Sequence, residues 1–286
     1  MQERIESKAK VSRHAFDSLR ELSEYLDRTP RTWPDAHSAD ARGSFGPSER
    51  WDLSLGYAGA LDMAANGWLE GAQRAQRELR AFTPANPAPA MVTDFYGHMP
   101  HVPRYCAGAP DCMIRHANPP RFGEGKVLTL YVPVNANMAT NARHMDNYGL
   151  GVAQYVNQLE AEGTRCEVWA MVANDMTQNW QAAWSFKVKS ADQPLDLAVM
   201  SFAIGHPAVA RRLVWGLKER SAVPRTSSYG NARRAKLSDL IDPAHGAVIL
   251  NGMRDASRTA TTPESALAAI SKEIETAIEL QWENVT

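Results

Sequence analysis

The chain of 286 residues has only three cysteines, Cys106, Cys112 and Cys166. So sparse and odd a set excludes a disulfide-stapled scaffold and points to a reducing compartment, the cytoplasm. Neither sign of charge is in excess: 31 Lys and Arg stand against 32 Asp and Glu. No global field therefore draws the chain toward nucleic acid or an acidic membrane surface. Nor is there an apolar run approaching the roughly 20 residues that cross a bilayer, so no membrane association is expected. The first eight residues are charged and contain no apolar stretch of the secretory type. A Walker-type glycine loop, a Gly-x-Gly-x-x-Gly between strand and helix, and a Gly-x-Ser-x-Gly are all missing. With no complete catalytic signature, the sequence leans away from an enzyme, and no cofactor or metal is expected.

What is present is the composition of a globular protein, 44% hydrophobic and 22% charged, with eight tryptophans. Residues 127–134 (VLTLYVPV) form an apolar run that passes into a polar loop at 135–140. A helical pattern over 147–162 follows, with Leu150, Ala153, Val156 and Leu159 on one face and Gly163 at its C-cap. A second apolar run spans 166–173, so the stretch reads as strand, loop, helix, strand. Residues 184–189 alternate apolar and charged side chains, as a half-buried strand antiparallel to its neighbour would. Helical segments are expected at 194–204 and 207–220, a short strand at 247–250, and a last helix from Thr262-Pro263-Glu264 to about Trp282.

Upstream, Phe16, Leu19, Leu22 and Leu26 predict a helix within 12–28, and 53–79 reads as two helices broken at Asn66-Gly67. Prolines at 84, 87 and 89 make a stiff linker. Residues 94–122 look like a long irregular loop. The expected organisation is a mainly helical N-terminal region (1–82), a linker and loop (83–121), and an α/β domain (122–286) with a mostly parallel sheet.

In open α/β sheets ligands bind beyond the carboxyl ends of the strands. That position offers Asn135, Asn137, Thr140 and Asp146 after the first strand, Asp175 after the second, and Asp255 beyond the later one. The same residue types also serve as turn and cap residues. A basic segment, 211–236, carries Arg211, Arg212, Arg225, Arg233, Arg234 and Lys236, with Tyr229 available to stack on a base. It can follow a phosphate backbone, or be a solvated helix face and loop. Asp94, His98, His101, Cys106, Asp111, Cys112 and His116 are zinc-binding types without zinc-site spacing, so loop packing is favoured. His206, before Pro207, reads as a helix cap. Trp180 and Trp184 are candidate exposed anchors for a partner.

The order strand, loop, amphipathic helix, strand, hairpin strand resembles a von Willebrand A-type domain, a three-layer Rossmann-like fold. That family ends its first strand in a metal-binding Asp-x-Ser-x-Ser. Aligned by the strand, Pro133 takes the place of the Asp, and Asn135 and Asn137 those of the two Ser. The resemblance implies a degenerate, metal-free site. Residues 66–71 (NGWLEG), 102–108 (VPRYCAG) and 206–213 (HPAVARRL) are also similar to uncharacterised proteins of bacteriophages and plasmids. This implies a mobile-element protein in the cytoplasm of a bacterial host. The expected function is a non-enzymatic protein-interaction module whose partner is a protein. The alternative is a nucleic-acid-binding protein of phage replication or recombination, using 211–236.

Overall fold

A computed structural model describes residues 2–7, 10–33, 48–82, 91–97, 99–116, 127–136, 140–177, 179–221, 231–244, 246–252 and 260–283. The N-terminal part is not only helical. It opens with two strands, β1 (Gln2–Ser7) and β2 (Lys10–Phe16), before helix α1 (Leu19–Arg28). Sequence periodicity merged β2 with α1 because Phe16 continues the apolar spacing of Leu19, Leu22 and Leu26. The helix starts at Ser18, whose hydroxyl accepts from the Glu21 backbone N–H at 3.0 Å. Helices α2 (Glu49–Asp52), α3 (Gly56–Asn66) and α4 (Leu69–Phe82) follow. The break between the last two falls at Gly67, which has φ of 82° and packs so closely on Ala198 that a Cβ would lie 2.8 Å away.

The segment expected to be an irregular loop folds into a small sheet of its own. Strands β3 (Met91–Asp94), β4 (Met99–Pro100) and β5 (Met113–His116) pair antiparallel in the order β3-β5-β4, with helix α5 (Val102–Cys106) between β4 and β5. Their runs of two to four residues are too short, and too rich in Gly and Pro, for any periodicity to show.

The rest follows the predicted alternation: β6 (Val127–Pro133), α6 (Ala142–Ala161), β7 (Arg165–Thr177) and β8 (Trp180–Lys189). A bent helix pair comes next, α7 (Leu197–Gly205) and α8 (Val209–Lys218), at 58° to one another and each containing a π-helical turn. Strands β9 (Asn231–Ala232) and β10 (Val248–Ile249) precede the final helix α9 (Pro263–Glu283). The main sheet runs β1-β2-β8-β7-β6-β10, with β9 on β7. β6 is parallel to both β7 and β10, and β2 to β8, whereas β7 and β8 form an antiparallel hairpin. The fold is mixed α/β.

Alternation along the strands sends Leu130, Val132, Val168, Ala170, Val172 and Phe186 to one face. There they meet Leu22, Leu26, Tyr148, Phe202, Leu213 and Ile270 from the helices in one core. On the opposite face Tyr131 and Met171 pack under Leu240 and Ala247, with Trp169 and Ala235 beside them. Among the described residues no long helix joins that second face; its cover comes from Ala235, Leu240, Ala247 and Ile249. The second helical layer of a three-layer sandwich is therefore not among them. Trp184, expected as an exposed anchor, is 1% exposed and belongs to the core, while Trp180 is only partly buried. The charged neighbours of Trp184 mark its alternation along the strand, not a wet surface.

Among the described residues no single helix is long and apolar enough to cross a membrane. The α7–α8 pair would pass by composition, but every residue from 200 to 219 is buried inside the protein.

Candidate binding rim

At the carboxyl end of β6 the chain stays tied to the sheet. The Val134 N–H donates to the Met171 carbonyl at 2.8 Å, and on the other side Leu250 donates to Tyr131 at 3.0 Å. Gly252, with φ of 78°, turns the chain against Pro133; a Cβ there would approach the Pro133 Cβ to 2.6 Å. The ends of β6, β7 and β10 thus share one rim, as the sequence predicts.

Asn135 is buried in this rim, and its amide donates to the carbonyls of Ala173 (2.9 Å) and Arg233 (3.5 Å). It welds β6 to β7 and to the β9 segment. Asp175, exposed at the end of β7, accepts from Gln181 at 3.1 Å and faces Arg233 at 3.4 Å. Arg233 also forms a two-pronged pair with Asp239, at 2.5 and 2.9 Å. Asn135, Asp175 and Arg233 therefore form one latch, and Asn174 beside them keeps a buried side-chain oxygen that accepts no hydrogen bond from the described residues.

The other predicted rim residues are engaged elsewhere. Thr140 is buried, its carbonyl accepting from Arg211 at 2.7 Å. Asp146 pairs with Arg74 of α4, which also donates to Asn147 at 3.1 Å; Asn147 in turn donates to the Thr261 carbonyl at 2.9 Å. These residues bolt α6 to α4 and to the start of α9. Asn137 and Asp255 lie outside the described residues.

The basic segment needs correcting. Arg211 and Arg212 are 4% and 0% exposed and cannot form a phosphate-binding face. Arg211 donates to the Trp51 carbonyl at 2.5 Å and lies 4.6 Å over the Trp51 ring. Arg212 donates to Asp52 at 2.7 Å, both side chains being fully buried. The physical reason is that α8 is the central helix, buried all round, so its cations need internal partners. Lys218, on the same helix, is 2% exposed, and burial pulls its amine down to about 7. Arg233 is held by its two carboxylates, whereas Arg234 and Lys236 are exposed. Arg225 and Tyr229 lie outside the described residues.

His206 is the cap the sequence suggests: its Nδ1 accepts from the Ala208 N–H at 3.1 Å, and its ring meets Trp68 edge-on at 4.7 Å. Burial pushes its imidazole down to about 4. Of the zinc-type residues, Asp94 pairs with Arg115, Asp111 pairs with Arg104, and His101 caps α5 by accepting from Arg104. His98 lies outside the described residues. Among those described, no group of three His, Cys, Asp or Glu is arranged around a metal position. Cys166 is buried, which drives its thiol up to about 12, far from nucleophilic readiness.

Sequence reading missed Asp52 and Arg74, because each pairs with a residue brought near only by folding, and it missed the Arg233–Asp239 pair, whose six-residue spacing fits no regular element. It also missed the apolar exposure on the small sheet. The signal there was Phe95-Tyr96-Gly97, two aromatics on a turn.

A mixed α/β sheet with a polar rim, its charges paired, defines a class of protein and no chemistry. A family model described as "Domain of unknown function (DUF7192)" matches residues 2–280, and the chain belongs to that family. No curated protein and no solved structure matches it.

Proposed function

We propose that the chain is a protein-interaction module on a von Willebrand A-like core, of the kind carried by bacteriophages or plasmids, and that it binds through the rim at Asn135 and Asp175. The observation that carries this reading is the tying of the rim's polar groups to one another and to the sheet. Asp175 and Asp239 share the guanidinium of Arg233, and the Asn135 amide is spent on backbone carbonyls. A rim so tied is a rigid, preorganised surface, which suits recognition because little ordering is left to pay on association. The core reading is supported by the order β8-β7-β6-β10, with α6 crossing between parallel β6 and β7 and with β8 antiparallel. β10, parallel to β6 on its other side, fits as the later strand of that fold. Asn135 then occupies a metal-ligand position of the family while bonding the sheet instead.

The test is capture of partners from phage-infected or plasmid-bearing cells, with and without nuclease, by the wild type and by Asp175→Arg. That substitution places a second cation against Arg233 and opens the latch. The expected result is a protein partner that survives nuclease and is lost at least about tenfold with the variant. Capture that vanishes with nuclease, or that Asp175→Arg leaves intact, overturns the reading. Unchanged melting of the variant separates lost binding from lost fold.

A further inference from the structure

Of the eight large hydrophobic side chains exposed among the described residues, five fall within eleven positions of the small sheet: Phe95 (72%), Tyr96 (68%), Met99 (45%), Val102 (62%) and Tyr105 (68%). No described side chain between 92 and 115 is buried. The β3-β5-β4 sheet therefore has no core of its own, although a small sheet needs a covered apolar face to be stable in water. An exposed apolar cluster of this density marks an interaction surface.

The charges on the unit indicate what covers it. Within 92–115 there are two Asp and two Arg, and they cancel pairwise: Arg115 donates to Asp94 at 2.6 Å, and Arg104 pairs with Asp111. These arginines hold both carboxyls below the ordinary carboxylate range. Both cations are thus spent, which disfavours a nucleic-acid backbone or an anionic bilayer as occupant. A two-fold interface sets one patch against an identical patch, so a patch of strong single sign repels its own copy. A patch of zero net charge with aromatic and Met anchors does not. Among the described residues β3 and β4 each pair only with β5, and β3 carries no proline, so its outer edge offers a strand that a second β3 can join antiparallel. We propose that this unit is a self-association surface: a second copy of the chain covers the Phe95–Tyr105 face and pairs along β3. This site is separate from the rim, so either reading can fail alone.

The experiment is light scattering coupled to size exclusion, and sedimentation, on the full chain across about 1–100 μM, for three proteins. These are the wild type, Phe95→Ser/Tyr96→Ser with Tyr105→Ser, and Leu69→Ser. Leu69 is 70% exposed on α4 and serves as an apolar control outside the small sheet. The wild type is expected at twice the 31.6 kDa of the chain. The triple variant is expected to dissociate at concentrations about 30-fold higher or more, as lost aromatic anchors imply, with Leu69→Ser unchanged. A wild type that stays monomeric at 100 μM overturns the proposal, as does a dimer indifferent to the triple variant. A monomer that binds vesicles of neutral lipid through the same aromatics assigns the face to a bilayer and overturns it too.

Discussion

Helix α8 and the small β3-β5-β4 sheet invert the usual placement of residue types. α8 carries Arg211, Arg212 and Lys218 in the interior, where cations are rarely found, while the sheet carries Phe95, Tyr96 and Tyr105 into solvent. The difference lies in partners. Each guanidinium of α8 meets a fixed acceptor, Asp52 for Arg212 and the Trp51 and Thr140 carbonyls for Arg211, so burial of charge is offset by hydrogen bonds. The aromatics of the small sheet stay exposed, with no buried apolar side chain among the described residues of that sheet. Composition thus predicts burial only where the rest of the fold supplies the complementary group.

The largest effect that can break this contrast is at Asp52. Its carboxylate also accepts from the N–H groups of Ser48 and Gly56, at 2.9 and 3.1 Å. Asp52→Ala strands Arg212 in the core and is expected to lower unfolding free energy by roughly 3–5 kcal/mol, read from urea melts. Adding Arg212→Met is expected to recover much of that loss. A single variant that costs less than about 1 kcal/mol shows that the buried charge is not held as described.

The next effect is in pH. His206 is a buried ring next to the same helix, and its folded pKa of about 4 lies below the ordinary 6.5 because burial disfavours the cation. The unfolded chain therefore binds the proton more tightly. The stability from neutral His206 is fully present above pH 6.5 and is lost as pH falls toward 4, with roughly 3 kcal/mol at stake. His206→Asn, which keeps a capping oxygen, is expected to flatten the stability profile between pH 4.5 and 7. An unaltered slope assigns the acid sensitivity to other groups.

The smallest effect sharpens the contrast from the other side. Phe95→Ser/Tyr96→Ser removes two of the largest exposed side chains, yet the stability of the isolated monomer is expected to move by less than about 0.5 kcal/mol. A loss above 2 kcal/mol places these rings in a core rather than on a surface.

Much of the fold was legible because it is written in local periodicity. β6, α6, β7 and β8 each carry their apolar spacing within one element, and the Asn66-Gly67 break, the His206 cap and the Thr262-Pro263 start are short-range signals. The small sheet was not legible, since its strands of two to four residues repeat a two-residue alternation twice at most. Nor was β2, whose Phe16 doubles as a continuation of α1. Of the rim, the placing of Asn135 at the end of β6 and of Asp175 at the end of β7 was legible from the order of the elements. Arg233 was visible only as one cation in a run, and its role as the latch between Asp175 and Asp239 depends on where β9 lands.

The sequence by itself determined the alternation of strands and helices, the near-zero net charge, and the polar ends of β6 and β7. Hydrophobic spacing and capping act over a few residues, so they need no knowledge of the rest of the chain. Only the tertiary structure decided which charges are interior. Arg212 and Asp52 are 160 residues apart in sequence, and the cost of burying a guanidinium is offset only when folding brings a carboxylate within hydrogen-bond distance, here 2.7 Å.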